Sequence, residues 1–262
     1  MFEARSVRAR VILQAVVTLL ALPFLFPLIA MVQGSLSGEG WGNYEAVLHE
    51  PGLVDFFRNS VVIAACTVLA VYLLSLLAGF GFSTLWIRGR EVYFWAILIC
   101  MTLPEVVLLT PMFQLAASVG LFNTYWAIVL PLTALHIPFA VLLTRDFLNG
   151  LPDEMFEAAR VDGASSAAIF RHIVIPLTRP IAAAIVIYVL LAAWNDYLLP
   201  LIFLQSPSTQ TVTQIPLYFT GEFNGDQTKV LAAGVVAALP EVIAYLSLQR
   251  LFERGMVAGA IK

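Results

Sequence analysis

Charge is what this sequence has least of. Only 12% of its 262 residues are Asp, Glu, Lys or Arg, about half the roughly 25% of an ordinary soluble domain. Lysine occurs only at 229 and 262, and neither position completes the G-x-x-x-x-G-K-[ST] loop that cradles a nucleotide's phosphates. The chain therefore carries no such nucleotide site. Cys66 and Cys100 both fall in apolar stretches, where they act as small hydrophobes, so no disulfide framework is implied. His49, His136 and His172 lie in separate segments, which argues against a zinc cluster. There is also no serine nucleophile elbow and no His-Glu metal motif. Net charge is −3 with no basic run, so nucleic acid is not a partner.

What is present is apolar sequence, 60% of the chain. Six windows can cross about 30 Å of hydrocarbon as helices: 11–32, 60–87, 92–117, 125–144, 181–204 and 230–248. Each must be helical, because an open strand would leave backbone groups unpaired in lipid. Arg5, Arg8 and Arg10 precede the first window, which is long enough to span and ends without a small-residue cleavage site, so it reads as a retained helix. With the N-terminus inside, every basic residue of the 14 except Arg58 and Lys229 falls on the cytoplasmic side. That positive-inside bias places both termini and the 145–180 loop in the cytoplasm. Gly79 and Gly81 in the second window suit close helix contact, and prolines in or near the windows predict kinked helices around a polar passage. The expectation is an all-α, multi-pass plasma membrane protein, a single transmembrane domain over 1–262 with no internal repeat.

Glu105, His136, Asp196 and Glu241 lie inside these windows, Asp196 beside Trp194 and Asn195. An acid at the bilayer centre costs roughly 2.5 to 3.5 kcal/mol on insertion scales, so such groups face a bundle interior or a wet cavity. They read as candidates for lining a solute path. Interhelical hydrogen bonds for Asn195 and Asp196, a freed carbonyl for His136 and headgroup solvation for Glu241 are the alternatives.

The longest polar interruption of the second half is 151–180, LPDEMFEAARVDGASSAAIFRHIVIPLTRP. Pro152 suits a first helical position, Asp153 and Glu154 its first turn, and Glu157 and Arg160 are spaced to pair. Asp162-Gly163 ends that helix, Ser165 or Ser166 caps a second one, and Pro176 is expected to stop it near Ile175. Ala158, Ala159, Ala164, Ala167 and Ala168 leave room for another backbone, while Met155, Phe156, Ile169 and Phe170 offer apolar anchors. On these residues alone the unit is either a docking surface or a plain connector lying on its own bundle.

Glu157-Ala158-Ala159, Asp162-Gly163-Ala164, Pro176-Leu177 and Pro180 resemble the EAA loop of bacterial ABC importer permeases. Phe57-Arg58-Asn59-Ser60, Trp194-Asn195-Asp196 and the tail from Gly255 to Lys262 resemble the carbohydrate-uptake, maltose-type branch. The resemblance implies a type I importer permease fold in the bacterial inner membrane, translocating a sugar or related polyol. It also implies a homologous second permease, two copies of an ATP-binding subunit that holds ATP and Mg²⁺, and an extracytoplasmic solute-binding protein. The 145–180 loop would then be the coupling unit, contacting the ATPase through Met155, Phe156, Glu157, Ala158, Ala159, Asp162, Gly163 and Ala164: Glu157 in an ionic contact, Ala158 and Ala159 in close approach, Gly163 in the turn. Gly255, Ala258, Gly259 and Lys262 would make a second contact with the same partner. A proton-coupled secondary transporter using the intramembrane acids and a membrane-embedded enzyme are the competing classes; only the ATP-driven importer requires an ATPase partner.

Overall fold

The computed structural model describes the backbone of residues 7–221 and 225–260, and side chains over 10–221, 225–247 and at 249. The chain is 81% helical, with no strand among the described residues. Its helices are α1 (Val7–Ser35), α2 (Trp41–Leu48), α3 (Leu53–Ser83), α4 (Arg90–Ile99), α5 (Glu105–Ser118), α6 (Trp126–Asn149), α7 (Asp153–Val161), α8 (Ser166–Ile169), α9 (Ile175–Leu177), α10 (Arg179–Asn195), α11 (Leu198–Phe203) and α12 (Gln227–Ala260). A π-turn, Phe170–Val174, joins α8 to α9, and a 3₁₀ segment, Val212–Phe219, precedes α12.

Among the described residues, four helices are long and apolar enough to cross a membrane: Arg10–Ser35, Leu53–Ser83, Trp126–Asn149 and Gln227–Ser247. Two further pairs pass only as bent units, Arg90–Thr102 with Glu105–Ser118 at 102° and Ser166–Leu177 with Arg179–Asn195 at 73°. The 92–117 window is thus not one straight span. Pro104 has no amide hydrogen to donate and forces Leu103 into the extended region, ψ 121°, so the helix breaks there. The 60–87 window is displaced as well. α3 begins at Leu53, its first turns carrying Asp55 and Arg58 as an ion pair of 2.9 Å, and stops at Ser83. The 181–204 window divides at Asp196 into α10 and α11.

The chain forms two compact units, Met1–Leu53 with Ile215–Leu239, and Val54–Gln214 with Pro240–Lys262. In the first, side chains from residue 10 to 30 of α1 are all exposed. The start of α12 is pinned by Asp226, whose Oδ1 accepts from the Thr228 hydroxyl at 2.6 Å and from the Thr228 amide at 3.0 Å. Hydrogen bonds from Thr228, and then Lys229, hold the Asp226 carboxyl down at about 2.

In the second unit, α3, α5, α6, α10 and α11 supply a core including Ile63, Ile128, Leu132, Leu199 and Phe203. Gly79 meets α6 at Thr144: a Cβ there would lie 2.5 Å from Thr144 Cγ2. Asn59, at the start of α3, donates to the Ser208 and Gln210 carbonyls at 3.0 and 2.8 Å and accepts from the Tyr125 hydroxyl. Ser60 Oγ accepts from the Val212 amide at 2.9 Å. The Phe57–Ser60 motif therefore fastens the 205–212 loop to a membrane helix.

Candidate functional site

Polar groups scattered through the sequence converge on one groove of about 360 Å³, lined by Glu105, Leu132, His136, Ala192, Asn195, Asp196, Tyr197 and Leu198. Helix breaks put them there. Glu105 is the first residue of α5, directly after the Pro104 corner. Asp196 follows the last residue of α10 with extended backbone, φ −63° and ψ 126°. Its Oδ1 accepts from the Leu199 amide at 3.5 Å and its carbonyl from the Thr213 hydroxyl at 2.9 Å, so it ties the end of α10 to the first turn of α11. Its other oxygen, Oδ2, is buried without a partner, and so is Glu105 Oε1. A buried carboxylate oxygen lacking a hydrogen bond is costly unless a ligand or water supplies one.

His136 sits on α6 between Pro131 and Pro138. Its Nδ1 lies 2.9 Å from the Tyr188 hydroxyl, with the rings edge to face at 5.3 Å. Its partner is thus the α10 tyrosine, not a carbonyl freed by proline. Asn195 Nδ2 donates to the Leu191 carbonyl at 3.0 Å and to Glu241 Oε1 at 2.6 Å, joining α10 to α12. Trp194 is only 7% exposed. It lies outside the groove of Glu105 and Asp196 and lines, with Glu241, a second groove of about 230 Å³ completed by Val61, Leu190, Pro240 and Ala244. The main groove presents two carboxylates, an amide and an imidazole, groups that bond hydroxyls in either direction. Tyr188 and Tyr197 belong to this constellation but went unrecognised: Tyr188 lies 52 positions from His136, with no local motif to mark it.

The 151–180 stretch folds as helix, glycine turn, helix. Gly163 has φ +80°, the left-handed exit that glycine accepts readily, and Ser165 Oγ accepts from the Ala168 amide at 3.2 Å as an N-cap. Two details depart from the sequence reading. Pro176 does not end the second helix: it follows a π-turn at Phe170–Val174, sits in the first turn of α9, where a missing amide donor is tolerated, and the helix runs on to Leu177. Arg160 does not pair with Glu157; its Nη2 reaches the Thr84 carbonyl at 2.8 Å, beyond the end of α3.

The apolar anchors are also turned inward. Phe156 and Ile169, 3% and 2% exposed, form a core with Phe80, Leu148 and Val174, against which Met155, Ala159, Ala164 and Phe170 pack. Phe156 thus holds the elbow to its own bundle and offers no apolar anchor outward, while Met155 is half-buried at the edge of that core. The solvent-facing residues around the turn include Glu157, Ala158, Asp162, Gly163 and Val161. Val161, 87% exposed, is the apolar tip that sequence reasoning overlooked. Gly255, Ala258 and Gly259 fall on the last stretch of α12, where side chains lie outside the described residues, and Lys262 lies outside them altogether.

The arabinooligosaccharides transport system permease AraQ of Halalkalibacterium halodurans is 34% identical over 221 residues, covering 84% of this chain and 78% of the relative. The lactose transport system permease LacG of Rhizobium radiobacter is 31% identical over 261 residues, covering 95% and 94%. Among solved structures, a bacterial ABC transporter for import of the acidic polysaccharide alginate superposes with a TM-score of 0.73 at 22% identity, covering 96% of this chain and 99% of that one. A bacterial alginate transporter in complex with an alginate pentasaccharide-bound periplasmic protein gives 0.71 at 14% identity, covering 92% and 93%. The fold is that of an ABC importer permease. With residues 74–258 matching the family's pattern, the chain belongs to the binding-protein-dependent transport system inner membrane components.

Proposed function

We propose that this permease passes a sugar or related polyol inward across the cytoplasmic membrane, and that the 151–180 elbow is the handle by which a separate ATPase drives it. The relatives' names, arabinooligosaccharides and lactose, support the solute class. In this reading the chain spans six times, as one transmembrane domain with both termini cytoplasmic. It works beside a homologous permease, two copies of an ATP-binding subunit holding ATP and Mg²⁺, and an extracytoplasmic solute-binding protein.

One observation carries the coupling role. The elbow buries Phe156 and Ile169 in a core shared with α3 and α6, yet leaves Glu157, Ala158, Val161 and Gly163 open to a partner. Movement of the tip is passed through that core and through the Arg160 bond to Thr84 into the spans. ATP biases inward- and outward-open states only through contact energies that differ between them, so the handle stays attached throughout the cycle. Glu157 supplies an ionic contact, Ala158 and the half-buried Ala159 beside it allow close approach, and Gly255, Ala258, Gly259 and Lys262 give a second contact. Glu105, His136, Asn195 and Asp196 act as hydrogen-bonding groups for solute hydroxyls along the route, with Trp194 and Glu241 bracing it from the neighbouring groove.

The complex reconstituted in liposomes with its binding protein tests this. The expected result is ATP hydrolysis stimulated by one or a few sugars, uptake abolished by Gly163→Trp with membrane insertion intact, and weaker co-purification of the ATPase with Glu157→Ala. Normal uptake by the Gly163 variant removes the coupling role, and uptake driven by a pH gradient without ATP replaces it with a proton-coupled carrier.

A further inference from the structure

We propose that the turn between α3 and α4 binds the headgroup of an anionic phospholipid. Trp86, Ile87, Arg88, Gly89 and Arg90 line a pocket of about 350 Å³. Trp86 is 101% exposed and Ile87 43%. A bare indole one turn past the end of an apolar span belongs at the headgroup level, where its ring meets lipid and its N–H meets water.

The two arginines divide the work. Arg90 Nη1 donates to the Ser83 and Leu85 carbonyls at 3.0 and 3.3 Å, and its Nε lies 3.5 Å from Glu91 Oε1, so Arg90 shapes the loop. Arg88 is exposed and, among the described residues, has no hydrogen bond or ion pair. Its guanidinium is thus available to a phosphate, which it can grip with two parallel N–H donors. The apolar surface continues into α4 through Val92 and Trp95, 71% and 60% exposed, a track that suits acyl chains. A phosphate on an apolar tail matches all of this; a soluble phosphate matches the arginine alone. The inference needs the loop to lie at a membrane face and is indifferent to which face.

Titrating the purified complex in detergent with dioleoylphosphatidylglycerol, while following its thermal melting, tests it. The expected result is a rise in melting temperature that dioleoylphosphatidylcholine and sn-glycerol 3-phosphate do not reproduce. R88Q weakens the apparent affinity about fivefold, the worth of one cation near an anionic headgroup, and W86A weakens it as well. R58Q, which removes equal charge at the other end of α3, leaves the affinity unchanged. Equal titrations for wild type, R88Q and W86A overturn the proposal. So does a lipid response that survives in both variants while the ATP-binding subunit is lost, which makes the turn a protein interface. A failed coupling role leaves these titrations unaffected, so the two readings fall separately.

Discussion

At Gly79 an added Cβ would fall 2.5 Å from Thr144 Cγ2 and 3.2 Å from the Arg145 amide nitrogen, whereas at Gly163 it would meet nothing within 4 Å. The two glycines therefore serve opposite ends. Gly79 is small because α3 and α6 approach there, and Gly163 is free because φ is +80°. Gly79→Val should cost about 1 to 3 kcal/mol of overpacking, read as a lower melting temperature in detergent. Gly163→Ala should cost only the left-handed strain, about 1 kcal/mol. If Gly79→Val melts like wild type, the close approach of the helices is not needed for stability. The sequence marked Gly79 as a contact residue because glycine in an apolar span has little other use. It could not say that a Cβ at Gly81, two positions on, would make only ordinary contact with Ile87, at 3.5 Å.

Elements were legible where local chemistry decides them and not where a distant partner does. The elbow's acidic first turn and its glycine exit are local: α7 starts at Asp153, one residue later than Pro152 suggests because Pro152 is extended, and it ends at Asp162-Gly163 as expected. The break at Pro104 was foreseeable as a kink, but its 102° angle depends on what α5 packs against. The split at Asp196 had no proline to announce it. There the Asp196 bonds to Thr213 and Leu199 hold the chain out of helix, and Thr213 is 17 residues away. The groove residues were recognised singly as polar groups in apolar windows; their convergence was not, because the two corners that bring Glu105 and Asp196 together are tertiary. The 205–212 loop shows the same dependence on distance. Asn59 is fully buried and donates to two of its carbonyls. Asn59→Ala leaves both acceptors and the Tyr125 hydroxyl to find new partners, costing roughly 1 to 3 kcal/mol. The expected outcome is faster proteolysis within 205–212 and a lower melting temperature, and cleavage at the wild-type rate would show the fastening to be dispensable.

At the scale of the molecule, charge carries the information that apolar periodicity lacks. Any of the spans could face either way, but in the six-span topology proposed above the basic residues near their ends are not evenly shared, with only Arg58 and Lys229 of the 14 Lys and Arg falling on the side of the acidic loops. The orientation this implies is testable because each side offers an exposed reporter: Trp41 on α2, 76% exposed, and Val161 at the tip of the elbow, 87% exposed. In a variant with Cys66 and Cys100 replaced by alanine, a membrane-impermeant maleimide should label Trp41→Cys in intact cells. Val161→Cys should react only once the membrane is opened, and less when the ATP-binding subunit is co-expressed. Labelling of Val161→Cys in intact cells would put the elbow outside, where no ATP-driven partner can reach it. Protection of that cysteine by the partner, with full activity retained at Trp41→Cys, would join the orientation read from charge to the handle read from the fold.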